Sequence, residues 1–271
     1  MLKIRCELVE KILTASIRDS IHKNGFKNAI IGVSGGLDSA VVLALCKKAL
    51  GAGHTLALLL PYRVSAPESL DHGRLVCARF KVPCEIIDIT PSVDAYFDRF
   101  PAETPLQIGN KCARERMSVL YDFSVRKKAL VAGTSNKSEL LVGYSTQFGD
   151  AAAAFQPIGD LYKTQVFELA RHLKIPEAII AKKPSADLWP GQTDESEIGI
   201  TYKDLDVILH LMVDKRWDEG EIVERGYPLT IVRRVKNMIV HSQFKRTMPP
   251  VTKLHSRTVG IDFRYLRDWN K

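Results

Sequence analysis

The sequence has little that would ligate a metal through soft donors or staple a chain. Its five cysteines, Cys6, Cys46, Cys77, Cys84 and Cys112, are odd in number and form no CxxC pair, which fits neither a zinc knuckle nor a disulfide frame. Reduced thiols in a reducing compartment are expected. The seven histidines are scattered, with no HxH or HExxH, so a His-ligated transition metal is not expected. No apolar run approaches the roughly 18 residues that span a bilayer. The opening MLKIRCELVEK alternates charge with apolar residues and has no signal-peptide core. A cytoplasmic protein with no membrane partner is expected. Internal repeats and low-complexity segments are also lacking; AAAA at 151–154 is too short to count.

What is present reads as a globular chain. Hydrophobic residues at 45% and charged residues at 26% argue against a disordered or fibrous protein, and 271 residues bury a core without staples. The net charge of +8 is unevenly placed: Pro228 to Lys271 holds ten Lys/Arg against two Asp, the whole of the excess. That segment is either a solvated basic tail or a surface that meets phosphates, of a nucleotide or a nucleic acid. Charge alone does not choose.

Apolar spacing predicts an amphipathic helix over 2–22 and a buried strand over 27–33, then a helix over 38–50 that is almost wholly apolar on its first turns. A second strand follows at 54–61, a helix at 66–80, a strand at 83–88 and a helix start at 91–97. A long helix runs over 106–127 and a fourth short strand over 129–131. Strands alternating with helices give βαβ units: an α/β fold, with a parallel sheet covered by helices on both faces. Beyond about 150 the pattern is mainly helical, at 161–174, 176–182, 201–213, 217–225 and 229–241. A single domain over 1–271 is expected, with a nucleotide-binding α/β core at 1–150 completed by a mostly helical part at 151–271.

The most informative segment is Gly32-Val33-Ser34-Gly35-Gly36-Leu37-Asp38-Ser39, between a buried strand and a buried helix. Two adjacent glycines let backbone N–H groups form a concave nest at a helix N-terminus, and the Ser34 and Ser39 hydroxyls add donors. This is a phosphate cradle at the C-terminal edge of a parallel strand, where α/β sheets bind ligands. It is neither a Walker A loop nor GxGxxG. A carboxylate beside phosphates makes sense with a cation between them, so Asp38 is a natural Mg²⁺ ligand. The competing reading makes it a tight turn with Asp38 as a helix N-cap.

SGGLDS at the end of the first strand resembles the signature of the ATP-pyrophosphatase, or PP-loop, superfamily, whose members adenylate an oxygen of the substrate and release pyrophosphate. Five further blocks narrow the resemblance: GNKCARERM (109–117), VAGTSNKSELLVGYSTQFGD (131–150), PIGDLYKTQVFELARHL (157–173), KKPSADLWPGQTDESEIGITYKDLD (182–206) and FKRTMPP (244–250). In order and spacing they resemble the ammonia-dependent NAD synthetase family, in its short form without an amidohydrolase domain. The resemblance implies a Rossmann-like fold of the adenine nucleotide alpha-hydrolase type and a homodimer. It implies ATP, deamido-NAD and ammonia as substrates and Mg²⁺ as cofactor, with no nucleic-acid partner.

It also implies roles. Residues 32–39 would hold ATP phosphates. Glu139 would be the second Mg²⁺ carboxylate beside Asp38. Thr134, Lys163 and Ser185 would contact ATP, Ser185 standing where the family often has Thr; Thr134 could also cap the next helix. Asp187 is a candidate for orienting ammonia. Arg114, Asp150, Phe244 and Lys245 would meet deamido-NAD, with Phe244 standing where the family has His. Arg116 and Arg126 read as helix surface. Two positions depart from the pattern: Gln147 replaces a Lys and Ala154 an Asp, both on the deamido-NAD side. They point to a subfamily variant with the same substrate or to changed substrate selection, and the persistence of the other substrate-side blocks favours the former. Two rivals stay open. A PP-loop tRNA-modifying enzyme is favoured slightly by the charge and disfavoured by the lack of a CxxC pair. A nucleotide-sensing protein would have kept the cradle and lost turnover.

Overall fold

The computed structural model describes residues 2–185 and 191–262. The four apolar runs become parallel strands: β1 (Asn28–Gly32), β2 (Thr55–Leu59), β3 (Cys84–Ile86) and β4 (Ala129–Val131), in the order β3-β2-β1-β4. Ile31 stands opposite Ala57, and Ile30 opposite both Leu56 and Val131. The chain steps outward from β1 to β3 and then returns to the other side of β1. The loops after β1 and β4 therefore part at a topological switch, which opens a crevice at the strands' C-terminal ends.

Strand pleating sends alternate side chains to opposite faces, and each face has its own core. Ala29, Ile31, Ala57 and Leu59 pack with α1 (Cys6–His22), α2 (Leu37–Leu50), α3 (Pro67–Phe80), α7 (Lys163–His172) and α8 (Glu177–Ala181). Ile30, Leu58 and Val131 pack with α4 (Thr90–Phe97) and α5 (Pro105–Lys127). Val41, Val42 and Leu43 of α2 are fully buried, because that helix lies between the sheet and α1 and α7; a helix covered on all sides is apolar all round. A third core, wholly helical and containing Val142, Tyr162, Leu205, Leu209, Ile222 and Val232, joins α6 (Lys137–Val142), α10 (Tyr202–Leu209), α11 (Glu219–Glu224) and α12 (Leu229–His241).

The expected elements are present, with instructive differences. The first helix begins at Cys6, not at residue 2; the preceding chain runs beside α7, where Gln165 donates to the Leu2 carbonyl at 3.0 Å. The helix expected over 201–213 leaves α geometry at Leu209 and continues as a π turn, His210–Asp214. This brings Asp214 within 2.9 Å of both the Tyr162 hydroxyl and the Lys137 ammonium. Two helices had no periodic signal: α6 and α9 (Asp194–Ile198) are too short for a 3.6-residue repeat to recur.

The described part of the basic C-terminal segment, 228–262, is largely engaged in structure. Arg246 donates to the carbonyls of Leu140 and Leu141 at 3.0 and 2.7 Å, satisfying the end of α6, which has no intrahelical donors of its own to offer there. Arg233 and Lys236 pair with Glu219. Among the described residues, no helix is long and apolar enough to cross a membrane.

Candidate functional site

The site begins where β1 ends. Gly35 adopts φ +77°, and a Cβ there would lie 2.0 Å from the Ser69 carbonyl oxygen. The second glycine requirement of the loop is thus a close approach to α3 as well as a left-handed backbone. The Ser39 hydroxyl is turned inward: it donates to the Gly36 carbonyl at 3.0 Å and accepts from the Ser34 N–H at 3.3 Å. It shapes the turn, while Ser34 stays exposed. Gly35→Ala should introduce about 1–3 kcal/mol of strain and raise the KM for ATP by about tenfold or more. Saturation kinetics read this; an unchanged KM would mean that the turn tolerates another backbone.

Gly36, not Asp38, occupies the N-cap of α2, so the capping explanation of Asp38 fails. Its carboxylate points instead to two residues distant in sequence. Asn136 donates to Asp38 Oδ1 at 3.1 Å, and Lys163 Nζ donates to Asp38 Oδ2. The same ammonium donates to Glu139 Oε1 at 3.2 Å. Asn136, not Thr134, caps α6, and Glu139 completes a capping box with it. The side chain of Glu139 is thereby aimed back at the crevice.

Lys163 is 3% exposed. Burial disfavours its charge, but the attraction of Asp38, Glu139 and Asp194 outweighs this and holds its pKa above the ordinary lysine range. Glu139 lies above the usual carboxylate range: burial, with repulsion from Asp38 and Asp194, outweighs the pull of Lys163. Several carboxylates around one ammonium leave a cation-seeking cluster.

A buried carboxylate behind the cluster aligns it. Asp206, 0% exposed, accepts from Ser138 Oγ at 2.5 Å and from the Thr164 N–H at 2.8 Å. Ser138 in turn accepts from the Lys163 N–H at 2.9 Å. One side chain thus sets the neighbours of both Glu139 and Lys163. Asp206→Ala should cost about 1–3 kcal/mol for each donor left unpaired and lower kcat through misalignment. Urea unfolding and steady-state rates measure the two effects; full activity in a destabilised variant would make the role purely structural.

Asp38 and Glu139 fit a hard divalent ion. They are oxygen donors from the first turns of two separate helices, α2 and α6, already converging on one cation. Among the described residues, no three His, Cys, Asp or Glu side chains are placed to share a metal. Two carboxylates suit an ion such as Mg²⁺, which takes one or two of them and completes its shell with phosphate oxygens and water.

The cluster lies in a cavity of about 590 Å³ lined by the 32–39 loop except Gly35, and by Thr134, Glu139, Asp150, Lys163, Ser185 and Lys245. Asp150 accepts from the Thr146 N–H at 2.7 Å, closing the turn before it. Lys245 donates to the Gly143 and Ser145 carbonyls, each at 2.7 Å. Burial, against the attraction of Asp150, lowers its pKa. Arg114 and Phe244 are exposed and do not line this cavity, nor do Gln147 and Ala154. Arg116, which reads as helix surface in the sequence, does line it, and donates to the Leu60 carbonyl at 3.0 Å. Asp187 lies outside the described residues.

Asn136, Asp194 and Asp206 belong to the site's surroundings and were not singled out by the sequence. Asp194 follows Thr193, the N-cap of α9, and an acidic residue after a Thr cap reads first as helix-dipole compensation.

A parallel sheet with a glycine-turn cradle at its switch point, and a two-carboxylate cation site beside it, defines a nucleotide-binding α/β protein of the kind that acts on polyphosphates. The chain matches the NAD synthase family over residues 9–249 and belongs to it. It is 52% identical over 270 residues to the NH(3)-dependent NAD(+) synthetase of Chlorobium phaeovibrioides, covering 100% of this chain and 98% of that protein. Among solved structures, the NH3-dependent NAD synthetase of Campylobacter jejuni, in complex with nitrate, is similar with TM-score 0.79 and 33% identity, over 92% of this chain and 100% of that one. The NMN synthetase of Francisella tularensis is similar with TM-score 0.83 and 30% identity, over 93% and 100%.

Proposed function

We propose that the chain is an ammonia-dependent NAD synthetase, which amidates the nicotinate carboxylate of deamido-NAD with consumption of ATP. The observation that supports this most is the convergence of Asp38 and Glu139, from the first turns of the helices that follow β1 and β4, on one buried cation at the mouth of the glycine turn.

A carboxylate is a poor electrophile for ammonia because its leaving group would be oxide. Its oxygen therefore attacks the ATP α-phosphorus; the new P–O bond forms as the bond to the β-phosphoryl breaks, and pyrophosphate leaves with the electron pair. The ammonia lone pair then attacks the acyl carbon, the bond to AMP breaks, and the amide nitrogen loses a proton to solvent. In this scheme the 32–39 turn cradles the β- and γ-phosphates with its backbone N–H groups. Lys163 supplies a fixed positive charge to them. Ser185 and Thr134 contribute hydroxyls from the cavity wall. Asp38 and Glu139 would hold Mg²⁺, which when bound screens phosphate charge and stabilises the departing pyrophosphate. The protein's share is positioning and exclusion of water from the adenylate.

A homodimer belongs to the same reading. Leu8 and Ile12 present an exposed apolar edge on α1, and a second copy could bring Arg114 and Phe244 to a shared substrate. Deamido-NAD is the expected acid substrate. A second reading is the nicotinate mononucleotide, favoured by the likeness to the NMN synthetase and by the altered Gln147 and Ala154.

The deciding assay incubates the protein with ATP, Mg²⁺ and ammonium, and with deamido-NAD, nicotinate mononucleotide or neither. AMP and pyrophosphate made only with deamido-NAD are expected. Turnover with the mononucleotide alone selects the second reading. Nucleotide binding with no turnover on either acid would sink both in favour of a sensor. Glutamine in place of ammonium, with free ammonium excluded, should give no product.

A further inference from the structure

Cys77 and Cys84 do not line the nucleotide cavity and are placed as a pair. Cys77 sits in the last turn of α3 and is 2% exposed; Cys84 opens β3 and is exposed. The chain between them reverses at once. Lys81 caps α3 with a left-handed backbone, φ 55°. The Val82 N–H donates to the Cys77 carbonyl at 3.0 Å, and the Pro83 carbonyl accepts from the Ala57 N–H at 3.1 Å. This turn lays the start of β3 against the end of α3, so the two side chains hydrogen-bond to each other across seven positions of sequence. β3 pairs with β2 alone, at the edge of the sheet, which leaves Cys84 open to small solutes.

The two thiols differ in the way a two-step reaction needs. Burial pushes the Cys77 thiol up, and Cys84 beside it adds to the shift, so Cys77 stays protonated and sheltered from an oxidant. Cys84 meets the oxidant first and already has a second sulfur in contact. The other thiols lack this arrangement of access. Cys46 and Cys112 are buried, and burial pushes both up as well; Cys6 is half-buried. Cys84 is thus the one fully exposed thiol of the five.

We propose that Cys84 and Cys77 form a reversible peroxide-reactive site, in which Cys84 takes the oxidant and Cys77 resolves it as an intramolecular disulfide. The Cys84 thiolate attacks one oxygen of a hydroperoxide. The S–O bond forms as the O–O bond breaks, and the departing oxygen takes up a proton; with hydrogen peroxide this leaves Cys84 sulfenic acid and water. The Cys77 sulfur then attacks the Cys84 sulfur. The S–S bond forms as the S–O bond breaks, and the departing hydroxide takes the Cys77 proton and leaves as a second water. Two thiols lose two electrons and the peroxide gains two; a dithiol reductant reverses the link. The disulfide stops Cys84 short of the sulfinic and sulfonic acids that thiols do not reduce. None of this uses ATP or deamido-NAD, so the site stands apart from the amidation reading.

The test uses the full chain, reduced, freed of reductant, treated with hydrogen peroxide, alkylated and digested with trypsin without reduction. Cleavage after Arg74, Arg79, Lys81 and Arg99 releases residues 75–79 and 82–99 as separate peptides, unless a disulfide joins them. The expected result is the joined pair, lighter by two hydrogens than the sum of its parts and absent after dithiothreitol. Cys77→Ser should lose the joined pair, and dimedone should then capture Cys84 as sulfenic acid. Cys84 carried straight to sulfinic or sulfonic acid in the wild-type protein, with Cys77 still open to alkylation of the unfolded chain, overturns the assignment. So do two thiols that both remain alkylatable after excess peroxide, and a link from Cys84 to Cys6 or to a second chain. If C77S does not fold, the wild-type digest decides by itself.

Discussion

Lys163→Met should strip the nucleotide-free protein of about 3–5 kcal/mol and remove nearly all turnover. Lys163 is almost fully buried and is the donor that Asp38 and Glu139 share. Methionine fills the volume of the stem but leaves carboxylates buried without their counter-charge, a loss of that size in other buried pairs. The deficit should depend on pH in a defined direction. Glu139 already lies above its unfolded value through burial, and loss of the opposing pull of the Lys163 ammonium raises it further. The folded variant then binds more protons than the unfolded chain, so its stability falls as pH rises. Melting curves should therefore show a larger deficit at pH 8 than at pH 6, and Mg²⁺ should restore part of it. A deficit that does not vary with pH would mean that Lys163 stabilises by packing alone. The loss of turnover has a separate cause: a preorganised charge aimed at phosphates is worth about 10²–10³ in rate.

Asp38→Asn should behave in the opposite way on stability. Asn is nearly isosteric and keeps an oxygen that can accept from Asn136 or Lys163, and Asp38 sits inside the first turn of α2 without capping it. The fold should survive with a melting temperature close to the parent's. Turnover should drop by about a hundredfold or more, because one of two anionic metal ligands is gone and several kcal/mol of transition-state stabilisation go with it. The drop should be steepest at limiting Mg²⁺ and partly recovered at high Mg²⁺. Full activity at limiting Mg²⁺ would show that Asp38 serves the structure and not the metal. Together the variants separate the cluster's two duties, since one removes the internal cation and the other weakens the place for the external one.

The parts of the site readable in the linear sequence are those built from neighbours. Gly32 to Ser39 is a continuous turn between two apolar segments, so its geometry follows from local backbone freedom and helix polarity. The same holds for Glu139 within its block. Arg114 shows the limit: its block matches, yet in this chain α5 turns Arg114 to solvent and Arg116 to the cavity. A block fixes spacing along the chain, and helix rotation decides which of two arginines two residues apart faces inward.

Alternation of buried strands with helices was enough to determine the parallel α/β class, because apolar runs bounded by turns have few other ways to be covered. The glycine turn determined where the sheet would bind a ligand. What only the tertiary structure decided is the charge balance at that point. Asp38 and Lys163 lie 125 positions apart, and Asp206 reaches Ser138 across 68. Each of these residues has a plausible local reason to be where it is, as a cap, a first-turn charge or an exposed lysine. Only packing of the helical core of α6, α10, α11 and α12 against the rest of the fold brings them to one buried place. There, removal from water turns ordinary surface chemistry into a cluster that requires cations.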